Sequence, residues 1–240
     1  MTDAQTIDEA FKLFSLSLDD LRKILEADYG GPGPNFLVAE SALAIAEPIA
    51  KTYYPYVIRR GGSQVIATSL DGINTKIATH NFFTDCFFSN RYGHLSHLIW
   101  DCFRNGHVHL FQPKKVINVP MPQYNDSFLT GVHLSGTKPS EIANNLAQEQ
   151  LERSEHLRFD LTTNNKGQSR PFFRFSPLIY YLDLLAAVQR LRQMVDSNNA
   201  IKLTFLSGYQ LLVNAKRLDY STQRLPQTEK DLILSELQNL

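Results

Sequence analysis

The sequence predicts an α+β protein that is predominantly α-helical. Apolar residues recur at helical spacing over residues 3–28, and the same spacing returns over residues 91–105. Between these segments, within residues 53–79, Tyr53–Ile58 and Gln64–Thr68 are typical of β-strands, and the turn Arg59-Arg60-Gly61-Gly62 lies between them. We therefore expect a helical bundle with a β-hairpin insertion, followed by an extension that contains strands and C-terminal helices.

Two features of the N-terminal helices leave alternatives open. Ser17 followed by Asp20 is a possible helix start, so residues 3–28 form either one helix or two. Asn35 can cap a further helix over residues 36–52, and Pro48 is expected to kink this helix or to shift its boundary.

Glu40 and Glu47 lie seven residues apart, on one face of this otherwise apolar second helix. An unpaired buried charge is costly, so each carboxylate must be either exposed or paired. We expect an exposed stripe.

Residues 116–240 are predicted to alternate between short strands and helices. The predicted strands are Lys115–Val119, Leu129–Leu134, Leu157–Thr162 and Pro171–Phe175, of which the last two form a hairpin. The predicted helices are a short one from Thr137 to about Glu149, one from Ser176-Pro177 to about Val195, and a terminal one over 227–239. Residues 200–216 fit a helix or a strand. The extension is expected to pack on the bundle, either as part of the same domain or as a second one.

Charge and composition limit the classes of function. Lys and Arg number 24, Asp and Glu also number 24, and 43% of the residues are apolar. This balance argues against a protein that coats nucleic acid through a broad basic surface, but it permits a small basic site. Two cysteines cannot build a disulfide framework, and no apolar run approaches the ~18 residues of a membrane span. With a polar N-terminus, these features predict a cytoplasmic protein without a membrane partner.

The segment Arg104-Asn105-Gly106-His107-Val108-His109 carries the strongest chemical signal. It follows an amphipathic helical pattern whose apolar face is Tyr92, Leu95, Ile99 and Cys102 or Phe103. On a straight helix, Arg104 and His109 would point about 140° apart. They can act together only if the chain turns at Gly106 or if a second copy of the chain completes the site.

Arg104-Asn105 followed by His109 resembles the R-x4-6-H signature of the HEPN superfamily, and the resemblance covers residues 1–115. It implies a small helical bundle that forms homodimers and cleaves RNA without a metal or another cofactor. It also implies a role in antiviral defence or in toxin–antitoxin growth control, restrained by a regulatory protein or nucleic acid. The extension, residues 116–240, is not explained by this resemblance.

The residues fit that chemistry. RNA supplies its own nucleophile, the 2′-OH, so His109 is needed for proton transfer and Arg104 for charge stabilisation. Asn105 is expected to hold the imidazole or the substrate. His107, Lys114 and Lys115 are the candidate substrate-binding residues, His107 also being a possible acid or base.

Other interpretations of the same residues remain. Arg104 fits a structural ion pair with Glu40, Glu47 or Asp101, and His109 fits a cap at the helix C-terminus. A zinc site built from His94, His97, His107 and His109 is disfavoured, because the two pairs would lie roughly 15–20 Å apart on a straight helix. No metal ligand is therefore assigned.

Two aromatic features can each be interpreted as structural or as RNA-binding. The alternating arginine and phenylalanine side chains of residues 170–175 fit an edge strand with one buried face better than a surface that stacks single-stranded RNA. Trp100 fits core packing better than a platform for a base.

Overall fold

The fold is taken from a computed structural model. It describes residues 2–27, 35–104, 114–133, 136–163, 167–215, 227–228 and 230–231, with only the backbone at 35–37. Within this part of the chain the protein is α+β and mostly helical. The α-helices are α1 Asp3–Glu26, α2 Asn35–Tyr53, α3 Thr75–Cys86, α4 Asn90–Ile99, α5 Pro139–Ile142, α6 Leu146–Ser154, α7 Pro177–Ser197 and α8 Asn199–Ala215.

Helix α1 is one continuous helix, which settles the first alternative. Its start is a capping box, in which the Thr2 hydroxyl accepts from the Gln5 backbone N–H and the Gln5 side chain accepts from the Thr2 backbone N–H. Ser17 does not begin a second helix, because its hydroxyl donates to the Leu13 carbonyl inside α1. The apolar stripe of α1 is buried against the other helices, as the helical spacing predicts.

Helix α2 runs through Pro48 to Tyr53, so of the two expected effects of this proline, a shifted helix boundary is not seen. Thr52 lies one turn after Pro48 and donates its hydroxyl to the Pro48 carbonyl at 2.8 Å. Helix α8 crosses α2 at this point, where a Cβ atom added at Gly208 would lie 2.2 Å from the Thr52 carbonyl oxygen. The absence of a side chain at Gly208 therefore permits the close approach of the two backbones.

The predicted β-hairpin between the helices is confirmed. Strands β1 (Tyr56–Ile58) and β2 (Gln64–Ile66) are antiparallel, with Val57 opposite Val65. Gly61 and Gly62 both adopt positive φ in the connecting turn, which explains the two glycines of the sequence.

A second sheet follows the helical N-terminal part, in the order β3-β4-β6-β5 among the described residues. Its strands are β3 Val116–Ile117, β4 Ser127–Val132, β5 Arg158–Thr163 and β6 Ser169–Phe175. β5 and β6 form the predicted antiparallel hairpin, but β6 also pairs in parallel with β4. The prediction that residues 170–175 form an edge strand is therefore wrong, although one face of β6 is buried as expected.

The core connects the N-terminal helices with this sheet. Phe103 is fully buried, and its ring stacks on Phe175 at 4.9 Å and contacts Phe173 at 5.9 Å between ring centroids. One cluster of buried side chains contains residues of α1 to α4 as well as of β6, α7 and α8. The sheet thus packs directly against the chain that leads to Arg104.

A buried polar network also joins the two parts. Tyr92 of α4 donates its hydroxyl to Asp183 of α7 at 2.8 Å and lies 2.8 Å from Nε2 of His156. The backbone N–H of Ser176 donates to Nδ1 of His156 at 2.9 Å. Because Nδ1 is an acceptor, His156 carries its proton on Nε2 and donates it to Tyr92. Every member of this chain of hydrogen bonds has a defined direction.

The last helices agree with the prediction in part. Helix α7 begins after Ser176, whose hydroxyl accepts from the Ile179 backbone N–H, and it ends at Ser197. Residues 199–215 form α8, so the segment that fitted either a helix or a strand is helical. The helix expected from Thr137 to Glu149 is instead two helices, α5 and α6. Of the expected terminal helix, only 227–228 and 230–231 are described, and they are helical. No helix in the described ranges has both the length and the apolar character to cross a membrane.

Candidate functional site

The chain reaches Arg104 through a π-helical turn. Helix α4 ends at Ile99, and residues Trp100–Arg104 continue it with the wider π-helical spacing. The sequence pattern predicted a regular helix over 91–105, so this turn is a departure. Cys102 and Phe103 are buried, while Asp101 and Arg104 are half-buried. The π-helical turn therefore changes the directions in which Arg104 and Asp101 would leave a regular helix.

Arg104 is held by two contacts. Its Nη2 donates to Oε2 of Glu47 at 3.0 Å, and its guanidinium carbon lies 5.3 Å from the centroid of the Trp100 ring. Its Nε is buried and has no hydrogen-bond partner within the described part of the chain. The side chain of Arg104 keeps 24% of its surface exposed. The guanidinium is thus fixed in place but still reachable from solvent.

Glu47 is shared by several partners. Its Oε1 accepts from the Thr75 hydroxyl at 3.1 Å and lies 3.2 Å from the Lys51 ammonium. The expectation of an exposed carboxylate stripe is therefore wrong for Glu47, because α2 places it between α3 and the end of the π-helical turn. One carboxylate faces the two cations Lys51 and Arg104, so this small group carries one excess positive charge.

A second polar group lies on α3 and α4. Lys76 forms an ion pair with Asp101. Nδ1 of His80 lies 2.7 Å from the Ser96 hydroxyl, and the rings of His80 and His97 are 5.5 Å apart between centroids. His97 is exposed as a whole, but partial removal of its ring from water, followed by the charge of Lys76, lowers the pKa of His97; His80 contributes less in the same direction, and Asp101 acts in the opposite direction.

The two groups adjoin at the first turn of α3. Thr75, which bonds Glu47, is the neighbour of Lys76 in the first turn of α3. Reasoning from the sequence had not assigned a role to Lys76 or His80. Their spacing of four residues on α3 was visible, but only the packing of α3 on α4 brings them to His97 and Asp101.

The predicted site is described only in part. Asn105, Gly106, His107 and His109 lie outside the described residues, so their predicted roles stay predictions. Lys114 donates its backbone N–H to the Cys102 carbonyl at 3.1 Å, which fixes the chain where it returns beside the π-helical turn.

The side chains of Lys114 and Lys115 are half-buried and exposed, respectively. Their predicted role in substrate binding stays a prediction.

The remaining candidates lie partly in the core and partly on the surface. Trp100 is buried, as the packing interpretation predicted, and His94 and His97 are exposed on α4. In the described residues no group of three or more histidine, cysteine, aspartate or glutamate side chains is arranged to hold a metal ion. Burial raises the pKa of Cys102 to about 11, so its thiol is protonated at neutral pH.

The aromatic and basic residues of β6 are also engaged. Phe173 and Phe175 are fully buried, and the ring of Phe172 covers Gly131, where a Cβ would lie 2.3 Å from it. Arg174 forms ion pairs with Glu155 and Asp160. The cation of Arg174 is therefore neutralised by two carboxylates.

Comparison of the chain with known protein families, curated proteins and solved structures finds no match.

Proposed function

We propose that this protein is a metal-independent endoribonuclease that uses the 2′-OH of RNA as the nucleophile. The observation that carries the proposal is the guanidinium of Arg104, which Glu47 and Trp100 hold in place while it stays reachable from solvent. Lys51 adds a second cation beside the same carboxylate, and the predicted proton-transfer group is the imidazole of His109. Cleavage of RNA without a metal requires this combination of anion binding and proton transfer.

In the proposed reaction, a base removes the proton of the 2′-OH, and the 2′ oxygen forms a bond to phosphorus. The bond from phosphorus to the 5′ oxygen breaks, and an acid donates a proton to the leaving oxygen. The products are a 2′,3′-cyclic phosphate and a 5′-OH end. Arg104 binds the phosphate oxygens as negative charge builds up on them. His109 takes the role of acid or base, with Asn105 as its partner, as the HEPN resemblance implies.

The contact between Arg104 and Glu47 favours a second candidate function. The guanidinium already has a carboxylate partner at 3.0 Å, which is the arrangement of a structural ion pair. A catalytically silent HEPN-like module that binds RNA or a partner protein would share this fold. The two candidates differ in whether phosphate can take the place of Glu47 on Arg104.

The biological setting of the enzyme is part of the proposal. An unrestrained ribonuclease would damage its own cell, so we propose a cytoplasmic role in antiviral defence or toxin–antitoxin growth control, with a regulatory protein or nucleic acid. Homodimerisation would bring two copies of the segment 104–109 together.

The test is incubation of the purified chain with structured and unstructured RNAs in EDTA. We expect fragments with 2′,3′-cyclic phosphate and 5′-OH ends, and no cleavage where the RNA carries a 2′-deoxy substitution. Arg104→Ala and His109→Ala should each lower the rate by about 100-fold or more. Arg22→Ala is the matched control, because Arg22 is also an ion-paired arginine but lies on the exposed face of α1.

Three results would count against the proposal. An inactive wild-type protein would favour the silent binding module. Cleavage by both variants at the wild-type rate would exclude the predicted pair. Loss of wild-type activity in EDTA would instead indicate a metal-dependent reaction.

A further inference from the structure

We propose that His80, His97 and Lys76 form an acid–base centre for RNA phosphodiester cleavage, separate from the segment 104–109. The inference rests on the proposed function for its reaction class, but it assigns the proton transfers to residues of α3 and α4. It is carried by the packing of these two helices and by the charges that their contact brings together.

Helices α3 and α4 hold the two imidazoles together through a close contact at Gly93. A Cβ at Gly93 would lie 2.8 Å from Oγ1 and 3.4 Å from Cα of Thr84, so glycine permits the close contact of the helices. This contact places the rings of His80 and His97 5.5 Å apart, inclined by 47°. The two histidines belong to different helices, so their separation is set by tertiary packing and not by one flexible loop.

Ser96 fixes the orientation of the His80 ring. Ser96 is 2% exposed, and its hydroxyl lies 2.7 Å from Nδ1 of His80. The bond occupies one ring nitrogen and leaves Nε2 without a partner among the described residues. A ring held at Nδ1 can exchange a proton at Nε2 with a bound substrate, which is the arrangement needed for acid–base catalysis. Ser96 acts here as a positioning residue.

The net charge of the cluster depends on the protonation of the two imidazoles. The groups that face His97 are Lys76 and His80 from α3 and Asp101 from the π-helical turn. With both imidazoles neutral, Lys76 and Asp101 cancel, whereas protonation of either ring gives the cluster a net positive charge. A bound phosphate would stabilise the protonated state. Exposed His97 gives such an anion access from solvent.

The chemistry follows from this arrangement. The neutral ring of His97 takes the proton of the 2′-OH as the 2′ oxygen attacks phosphorus. Protonated His80 gives its Nε2 proton to the 5′ oxygen as the P–O5′ bond breaks, while the ammonium of Lys76 stabilises the charge on the phosphate oxygens. No oxidant, reductant or metal enters the balance. The lowered pKa of His97 suits its role as the base at neutral pH.

The experiment compares His80→Gln and His97→Gln with His94→Gln on the same RNA substrates. His94 is the matched control, because it is an exposed histidine on the same helix as His97. We expect the first two variants to lose about 100-fold or more in cleavage rate and His94→Gln to keep the wild-type rate. Each active-site variant should also lose one limb of the pH–rate profile, which a purely structural role would not produce.

Two further measurements separate chemistry from folding. Free imidazole should restore part of the activity of His97→Ala, because the exposed position admits a small base. In imidazole NMR spectra, inorganic phosphate should shift the signals of His80 and His97 and leave those of His94 unchanged.

The outcomes also distinguish the two proposals. If both glutamine variants cleave like wild type while Arg104→Ala is inactive, the inference is overturned and the proposed function stands. If His80→Gln and His97→Gln are inactive while His109→Ala cleaves normally, the inference stands and the role of His109 falls. If the wild-type chain cleaves no RNA, both proposals fail.

Discussion

The buried imidazole of His156 makes the stability of the protein depend on pH in a direction that can be worked out. Burial lowers the pKa of His156 to about 3, and the nearby charge of Arg153 acts in the same direction, with smaller contributions from Arg91 and His133. In the unfolded chain the pKa of the same group is about 6.5. Between these two values the unfolded chain binds a proton that the folded protein rejects.

The sign and size of the pH dependence follow from the difference in proton binding between the folded and the unfolded protein. The stability contributed by neutral His156 is fully present above about pH 6.5 and is lost as the pH falls toward the folded value of about 3. The relation gives a loss of about 2 kcal/mol between about pH 8 and about pH 5, and roughly 4 kcal/mol by about pH 3. Such losses are a large part of the stability of an ordinary domain.

The assay is denaturant unfolding of wild type and His156→Gln at several pH values. Glutamine cannot be protonated, so the variant should lack this contribution to the pH dependence. Loss of the hydrogen bonds with Tyr92 and Ser176 should make the variant less stable at about pH 8, by roughly 1–3 kcal/mol.

The decisive quantity is the difference in the free energy of unfolding between wild type and His156→Gln. It should shrink by about 2 kcal/mol on going from about pH 8 to about pH 5. Since the other histidines are common to both proteins, their titration cancels in this comparison. Parallel pH profiles for wild type and variant would refute the reasoning.

Three more changes test the packing and the site. Gly208→Ala should lower the free energy of unfolding by about 1–3 kcal/mol, since its Cβ would meet the Thr52 carbonyl; equal or higher stability would contradict the close crossing seen here. Leu184→Ala removes a fully buried side chain and should cost about 2–5 kcal/mol in denaturant unfolding, whereas a loss under ~1 kcal/mol would place Leu184 outside the core. Glu47→Gln leaves its two cations without a carboxylate and should tighten the binding of inorganic phosphate in a calorimetric titration; unchanged binding would show that Glu47 does not compete with the anion.

Local signals predicted those elements that local interactions build. The start of α7 at Ser176-Pro177 was predictable, because a capping hydroxyl and a proline at the first helical position act within one turn. The hairpin of β1 and β2 was likewise visible in the alternating residues and the paired glycines. The interior position of β6 was not, since its parallel pairing with β4 joins segments separated by two helices and a strand.

The candidate site shows the same limit. The sequence singled out Arg104 because a cation, an amide and imidazoles follow one another along the chain. Its partner Glu47 lies 57 residues away, and the sequence offered Glu40, Glu47 and Asp101 as equal choices. Asp101 pairs with Lys76 instead. Pairings between distant helices depend on how the helices pack, and a periodic pattern on each helix cannot specify them.

The π-helical turn at Trp100–Arg104 has the largest consequence for the functional argument. On a regular helix, Asp101 and Arg104 would be neighbours on one face, three residues apart. Here Asp101 reaches Lys76 on α3, and Arg104 reaches Glu47 on α2, while Trp100, Cys102 and Phe103 fill the core. The turn thus separates buried from polar side chains over five consecutive residues. Because Phe103 packs on Phe173 and Phe175, the sheet of residues 116–175 supports the position of Arg104, which gives the extension a structural part in the site.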